Sequence, residues 1–295
     1  MFNGIHAVLY ALFNADETLD PGAMRAQVAH VTAAGCHGIT VLGLATEVAK
    51  LTFAERLAVI ETVGAANAGR LPFSVTIAGN SVAEQQELAR RAVAQGADWL
   101  ILQPPMVGSY GAGVYIDFMA RVAGAVSCPV AVQNAPQYLG RSLSPADIAQ
   151  LAARCPNFAA IKAEDAALGL AALHDAAPGL ALLGGRGGME MTDALRLGAT
   201  GFVLAPDIAP RAARIWALWQ AGDVAGAEQL YAASLPGIVF AMQSLEHLIT
   251  YGKRMFAAQA GLAVHDRAPC LAPSPAGLAM AAHWATVLQE PVAAG

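Results

Sequence analysis

The sequence predicts an α/β chain, a (β/α)8 TIM barrel followed by a C-terminal helical extension. Three observations predict it. From residue 4 to about 220 one unit recurs eight times: a short β-rich apolar run, a turn, then an Ala/Leu-rich amphipathic stretch. The apolar runs are continuous rather than alternating, as parallel strands covered on both faces require. Three helical stretches close on a variant of one phrase (AAGCHG, AQGADW and LGATGF), each a helix end passing directly into a strand. A doubly wound open sheet is the runner-up; no Gly-x-Gly-x-x-Gly follows the first strand, and the count of units reaches eight.

In order, the strands fall at 5–11, 38–43, 73–78, 98–103, 129–134, 158–163, 180–184 and 200–205. Helices are expected near 21–34, 53–67, 81–95, 114–126, 145–154, 166–176, 189–197 and 208–221. Asp20-Pro21 and Ser144-Pro145 each supply an N-cap and a proline at the first helical position, where a missing N–H costs nothing. Gly35, Gly96 and Gly198 stand just past helix ends, where a left-handed residue closes the last turn. After 222 only helices are expected, at 223–233, 236–260 and 275–289, with a proline-bearing link at 268–275. The chain divides accordingly into a barrel, 1–221, and a C-terminal helical subdomain, 222–295. The subdomain is expected to pack outside the barrel and to build an oligomer interface.

The 295 residues fit one barrel of roughly 250 residues with that extension. The chain is 56% hydrophobic and only 13% charged, against about 25% charged in ordinary domains. Disorder is excluded, and the shortage of charge implies a face covered by another copy of the chain. A net charge of −5 without Lys/Arg clusters excludes nucleic acid as a partner. No apolar run approaches the roughly 18 residues of a membrane span, and no basic n-region precedes the apolar start. No membrane partner is therefore expected, and the expected location is cytoplasmic. Cys36, Cys128, Cys155 and Cys270 lie far apart without CxxC spacing, and the seven histidines show no metal-ligand spacing. Neither a metal site nor a disulfide framework is expected.

In this architecture the reactive groups come from the C-terminal ends of the strands. Those ends carry Tyr10, Gly43 to Glu47, Gly79-Asn80, Gln103, Gln133-Asn134, Lys162 to Asp165, Gly184 to Gly188 and Ala205 to Asp207. Lys162 stands out, because it follows Ala159-Ala160-Ile161 in a strand that should be enclosed. Burial disfavours an ammonium, and the neutral amine that results can attack a carbonyl. The alternative is a structural ion pair with Glu164 or Asp165. Alternation along the strand puts Ala160 and Glu164 on the face of Lys162 if that side chain points inward.

In these positions the chain resembles the dihydrodipicolinate synthase / N-acetylneuraminate lyase family of Schiff-base-forming aldolases. The resemblance runs through Gly4…Phe13, Gly43-Leu44-Ala45-Thr46-Glu47 with Leu51-Thr52 and Glu55-Arg56, and Pro104-Pro105. It continues through Asn134-x-Pro136, Ile161-Lys162, Gly184-Gly185, Gly198-Ala199-x-Gly201-Phe202, Lys253 and Arg267-Ala-Pro269. It implies pyruvate or another small-molecule 2-oxo acid held as an imine on Lys162, and a carboxylate-binding turn at Gly43, Leu44, Ala45 and Thr46. It also implies a homotetramer built as a dimer of dimers, and no metal or organic cofactor, because the protonated imine is the electron sink.

The chain is a divergent member by the same comparison. The family's Gly-Thr-Thr-Gly-Glu turn reads Gly-Leu-Ala-Thr-Glu here, and the tyrosine before Asn-x-Pro is Gln133. The arginine expected two residues past that proline is Tyr138, so dihydrodipicolinate synthase activity itself is not expected. A glutamine cannot replace tyrosine as an acid or base, though it can orient a neighbour. The expected catalytic set is Lys162, Glu164 as proton carrier, and Gln133. Asn134, Tyr138, Gly185 and Arg186 are expected to meet substrate, with Arg186 a clamp for a polar or anionic tail. Tyr110, in the loop Gly108–Gly113, is a candidate substitute hydroxyl, while Glu47 is expected to cap or brace its turn.

The expected function is a lyase, aldolase or dehydratase, acting on a 2-oxo acid through an imine on Lys162. Two alternatives stand beside it: a non-catalytic ligand-binding or scaffolding barrel that keeps the lysine, and a phosphate-binding barrel enzyme using the glycines of 184–188.

Overall fold

A computed structural model describes residues 1–290; residues 291–295, the end of the expected C-terminal subdomain, lie outside the described residues. Eight parallel strands close into a barrel in chain order: β1 (Gly4–Val8), β2 (Gly38–Val41), β3 (Phe73–Ile77), β4 (Trp99–Leu102), β5 (Val130–Asn134), β6 (Phe158–Ala163), β7 (Ala181–Gly184) and β8 (Gly201–Leu204). The ring closes where Gly4 of β1 pairs with Gly201 of β8. That pairing is tight: a Cβ on Gly201 would lie 2.5 Å from the Gly4 carbonyl oxygen, so no larger residue fits the seam.

Each strand is followed by helix. Around the barrel run α1 (Pro21–Ala33), α2 (Phe53–Asn67), α3 (Val82–Ala94), α4 (Ala112–Ala123), a single turn α5 (Pro136–Leu139), α6 (Pro145–Arg154), α7 (Ala167–Ala176), α8 (Met191–Arg196) and α9 (Ala209–Gln220). Their starts are chemically marked. Asp20 accepts the Ala23 N–H, and Thr52 with Glu55 and Ser144 with Asp147 form reciprocal capping boxes. Gly96 and Gly198 follow helix ends at φ 91° and 89°, a conformation that favours glycine.

Two expectations shift. β1 ends at Val8 rather than at 11, because its ladder to β2 stops at the pair Val8–Thr40; beyond one further bond from Leu9 N–H to Thr40, the chain leaves the wall. The expected helices 223–233 and 236–260 are divided elsewhere. α10 (Val224–Ala241) runs straight through Pro236. The break comes after Met242, where Ser244 caps a new start by accepting the His247 N–H. That segment runs from α11 (Leu245–His247) through a π-helical turn, Leu248–Gly252, into α12 (Lys253–Ala260). The last helix is α13 (Pro275–Gln289). α10 packs along α9 and reaches α8, while α12 packs on α13 and α1. These C-terminal helices therefore lie over the mouth of the barrel as well as outside it.

Candidate active site

Lys162 occupies the penultimate position of β6, between Gln133 of β5 and Leu183 of β7. Strand alternation turns Lys162 and Glu164 to one side, and both are buried. The Lys162 ammonium nitrogen donates to Glu164 Oε1. A second hydrogen bond, itself oriented from behind, and a close backbone approach fix that carboxylate. Gln133 Nε2 donates to the same oxygen at 2.5 Å, and Gln103 Nε2 donates to Gln133 Oε1 at 2.7 Å, which sets the orientation of the Gln133 amide. Behind it, a Cβ on Gly185 would lie 2.6 Å from Glu164 Cγ, so only glycine leaves the carboxylate its place.

The turn after β2 faces this pair. Leu42 and Glu47 hold left-handed conformations at φ 60° and 55°, which cost a non-glycine residue about 1–2 kcal/mol each. The surroundings enforce the turn. Thr46 Oγ1 donates to the Leu9 carbonyl at 2.6 Å. Glu47 is clamped between Lys50 at 2.6 Å and the fully buried Lys253. Burial pushes the Lys253 ammonium down, and Glu47 opposes that shift. The N–H groups of Thr46 and Glu47 close the turn onto Gly43 and Leu44. Those of Leu44 and Ala45 have no protein acceptor among the described residues. Two adjacent free N–H groups form a concavity suited to a carboxylate.

Lys162, Glu164, Leu44, Ala45, Tyr138 and Arg186 all line one cavity of about 50 Å³. A single water needs roughly 10–15 Å³ by this measure, so the space suits the head of a small organic acid. Arg186 also holds a left-handed conformation, φ 52°, and pairs with Glu190 at 3.2 Å. Burial pushes the Tyr138 hydroxyl up, with Glu164 adding to the shift and Arg186 opposing it. Another wall is apolar, built by Ile238 and Ala241 of α10 and, just past its end, Met242, with Leu245 and Leu248.

The other expected residues lie elsewhere. Gln133 is one bond behind the cavity, both ends of its amide taken by Gln103 and Glu164. Gly43 and Gly185 shape the walls through close approach to Val8 and Glu164. Asn134 is not brought to the cavity: its amide pairs twice with the Leu143 backbone, at 2.8 and 3.0 Å. The Thr46 hydroxyl is spent on Leu9. Tyr110 is 54% exposed and leans on Tyr115, so it supplies no hydroxyl at Lys162 in this conformation. One group not nominated from the sequence lines the cavity as well. Asp207 is buried and accepts from Tyr10 Oη at 2.9 Å; burial pushes its carboxyl up to about 6, with the Tyr10 bond opposing. Both residues are polar strand ends, and that position was the available signal.

A lysine–carboxylate pair at the C-terminal mouth of a (β/α)8 barrel, beside an amide-lined turn, defines the class: a barrel with an enclosed amine at the face where such folds carry their chemistry. The Dihydrodipicolinate synthetase family model matches residues 1–274, and the chain belongs to that family. A 4-hydroxy-tetrahydrodipicolinate synthase of Corynebacterium aurimucosum is 31% identical over 247 residues, 83% of this chain and 81% of that protein. Another, from Methanospirillum hungatei, is 31% identical over 171 residues, where the chain spans 58% of the relative's length and 57% of its own. Among solved structures, YagE, a prophage protein of the dihydrodipicolinic acid synthase family from E. coli K12 in complex with pyruvate, superposes with a TM-score of 0.91 at 25% identity over 98% of this chain and 99% of that one. The Ruminococcus gnavus sialic acid aldolase has the same fold, with a TM-score of 0.89 at 19% identity over 97% of each chain.

Proposed function

We propose that the protein is a Schiff-base-forming lyase, an aldolase or hydro-lyase, that holds pyruvate or another 2-oxo acid as an imine on Lys162. One observation carries the reading: an enclosed amine touches a carboxylate in a cavity also lined by Leu44 and Ala45, whose N–H groups have no protein acceptor among the described residues. The substrate carboxylate docks on Leu44 and Ala45. Glu164 takes a proton from the Lys162 ammonium, and the amine attacks the keto carbon. A proton passes from the attacking nitrogen to the former keto oxygen, Glu164 returns its own proton to that hydroxyl, and water departs to leave an iminium. The iminium draws the electrons of the breaking bond at C3, or those left when the C3 proton is removed ahead of dehydration. No metal or organic cofactor is required for either course. Gln133, unable to titrate, holds Glu164 in register with the amine. Tyr138 and Arg186 stand on the distal side of the bound acid. We further propose a homotetramer, a dimer of dimers, working in the cytoplasm.

Incubation with pyruvate and borohydride, followed by intact-mass measurement, tests this. The expected result is a mass gain of one reduced pyruvyl group that disappears in Lys162→Ala. An unchanged mass with pyruvate and with a panel of longer 2-oxo acids contradicts it. The closed Lys162–Glu164 pair favours one rival, a ligand-binding barrel without catalysis. That rival predicts no trapped adduct and ligand binding that survives Lys162→Ala.

A further inference from the structure

We infer that the carbonyl partner handled at this site is apolar, an alkyl or aryl aldehyde rather than a polyhydroxylated one. The inference rests on the imine reading and names its substrate class. Three features of the cavity carry it.

First, each cation that lines the cavity is already paired. Lys162 is paired with Glu164 and Arg186 with Glu190, and Asp207 is hydrogen-bonded by Tyr10. Both cations that line the cavity, Lys162 and Arg186, already face a carboxylate, so a distal carboxylate or phosphate would have to compete for them. Second, the wall facing Lys162 offers carbon. Ile238, Leu245 and Leu248 are hydrocarbon, and the Met242 thioether is only a weak acceptor for a sugar hydroxyl. This wall is held close: a Cβ on Gly187 would lie 2.6 Å from Met242 Cγ and 3.4 Å from Ile238 Cγ2, so α10 sits directly on the turn that carries Arg186. A hydroxyl buried against it loses its water partners and gains none, which lowers kcat/KM roughly tenfold or more per group. Third, an apolar groove adjoins the small cavity. Leu44 and Leu245 line both the cavity and this groove of about 520 Å³. That groove is floored by Val48, Ala49, Ile249 and Leu271, with Glu47, Lys50 and Glu246 at its polar edge. A tail that leaves the cavity beside Leu245 meets carbon-lined space.

In the synthetic direction the step balances without a co-reactant. Pyruvate bound as the imine loses a C3 proton to become the enamine. C3 then forms a bond to the aldehyde carbon, and the aldehyde oxygen gains a proton. Hydrolysis of the imine consumes the water released on its formation and frees a 4-hydroxy-2-oxo acid.

The test gives the full-length protein pyruvate with each of hexanal, benzaldehyde, glycolaldehyde, glyceraldehyde and erythrose. The 4-hydroxy-2-oxo acid is followed by mass spectrometry, and pyruvate trapping by borohydride is measured alongside. The expected result is a kcat/KM for hexanal or benzaldehyde at least about 100-fold above that for erythrose, falling about tenfold in ratio in Met242→Gln. Trapping of pyruvate with equal or better use of the hydroxylated aldehydes, or with no aldehyde used at all, overturns this inference alone. A ratio unmoved by Met242→Gln overturns it too. Absence of any trapped adduct removes the imine reading with it.

Discussion

Two buried residues outside the Lys162 pair make opposite demands on pH. His6 is fully buried against Trp99; burial, then the nearby His37, lowers it to about 4. The folded protein thus binds fewer protons at His6 than the unfolded chain, and stability falls as pH drops from 6.5 toward 4. Asp207, raised to about 6 by burial, binds more protons when folded, so its contribution falls as pH rises from 3.8 toward 6. Each is worth about 3 kcal/mol over its window. Between pH 4 and 6 they oppose each other, and their joint contribution is flat. Denaturant midpoints against pH should show Asp207→Asn gaining stability with rising pH, with a slope near 1.4 kcal/mol per pH unit, and His6→Gln losing it. Equal slopes in the two variants contradict the assignment. Lys162 was legible in the sequence because an ammonium in an apolar strand is costly, and Glu164 because alternation gives it the same face. The Tyr10–Asp207 bond spans 197 residues. Only closure of the ring between β1 and β8 brings its partners together, and no local pattern encodes that.

At the scale of elements, the strand β6 supplies the chemistry and the turn after β7 supplies its alignment. Gly185→Ala places a methyl where Glu164 Cγ now lies. The barrel should persist, at a cost of about 1–3 kcal/mol for overpacking. Imine formation with pyruvate should fall toward the rate of Glu164→Gln, about 10²–10⁴ below wild type, the usual weight of a proton carrier. A Gly185→Ala protein that forms adduct at the wild-type rate contradicts the positioning of Glu164. The glycines of 184–188 were visible in the sequence, yet their use was not. A run of glycine signals close approach without naming what approaches, and here it is Glu164 at Gly185 and Met242 at Gly187. The apolar wall was hidden for a related reason. Pro236 marks a helix boundary in sequence, whereas α10 continues through it and carries Ile238 and Met242 to the cavity.

For the whole molecule, eight repeats with short connections leave few topologies open, which is why the closed barrel was legible from end to end. Assembly follows from what the barrel leaves uncovered. Leu168 on α7 is 82% exposed, Met106, Val107 and Tyr110 project from the segment between β4 and α4, and Val114 from the first turn of α4. Exposed apolar groups at this density call for a covering surface, and the homotetramer is proposed to provide one. Light scattering should give a native mass four times the 30.3 kDa chain, reduced by half in Leu168→Lys. A native mass of one chain contradicts that assembly.

The account turns on whether the Lys162 nitrogen leaves Glu164 to bond a keto carbon. A crystal soaked with pyruvate measures this directly. The predicted result is continuous density from Lys162 Nζ to C2 of the acid, with its carboxylate on the N–H groups of Leu44 and Ala45. An intact Lys162–Glu164 pair, with pyruvate bound elsewhere or not at all, contradicts it.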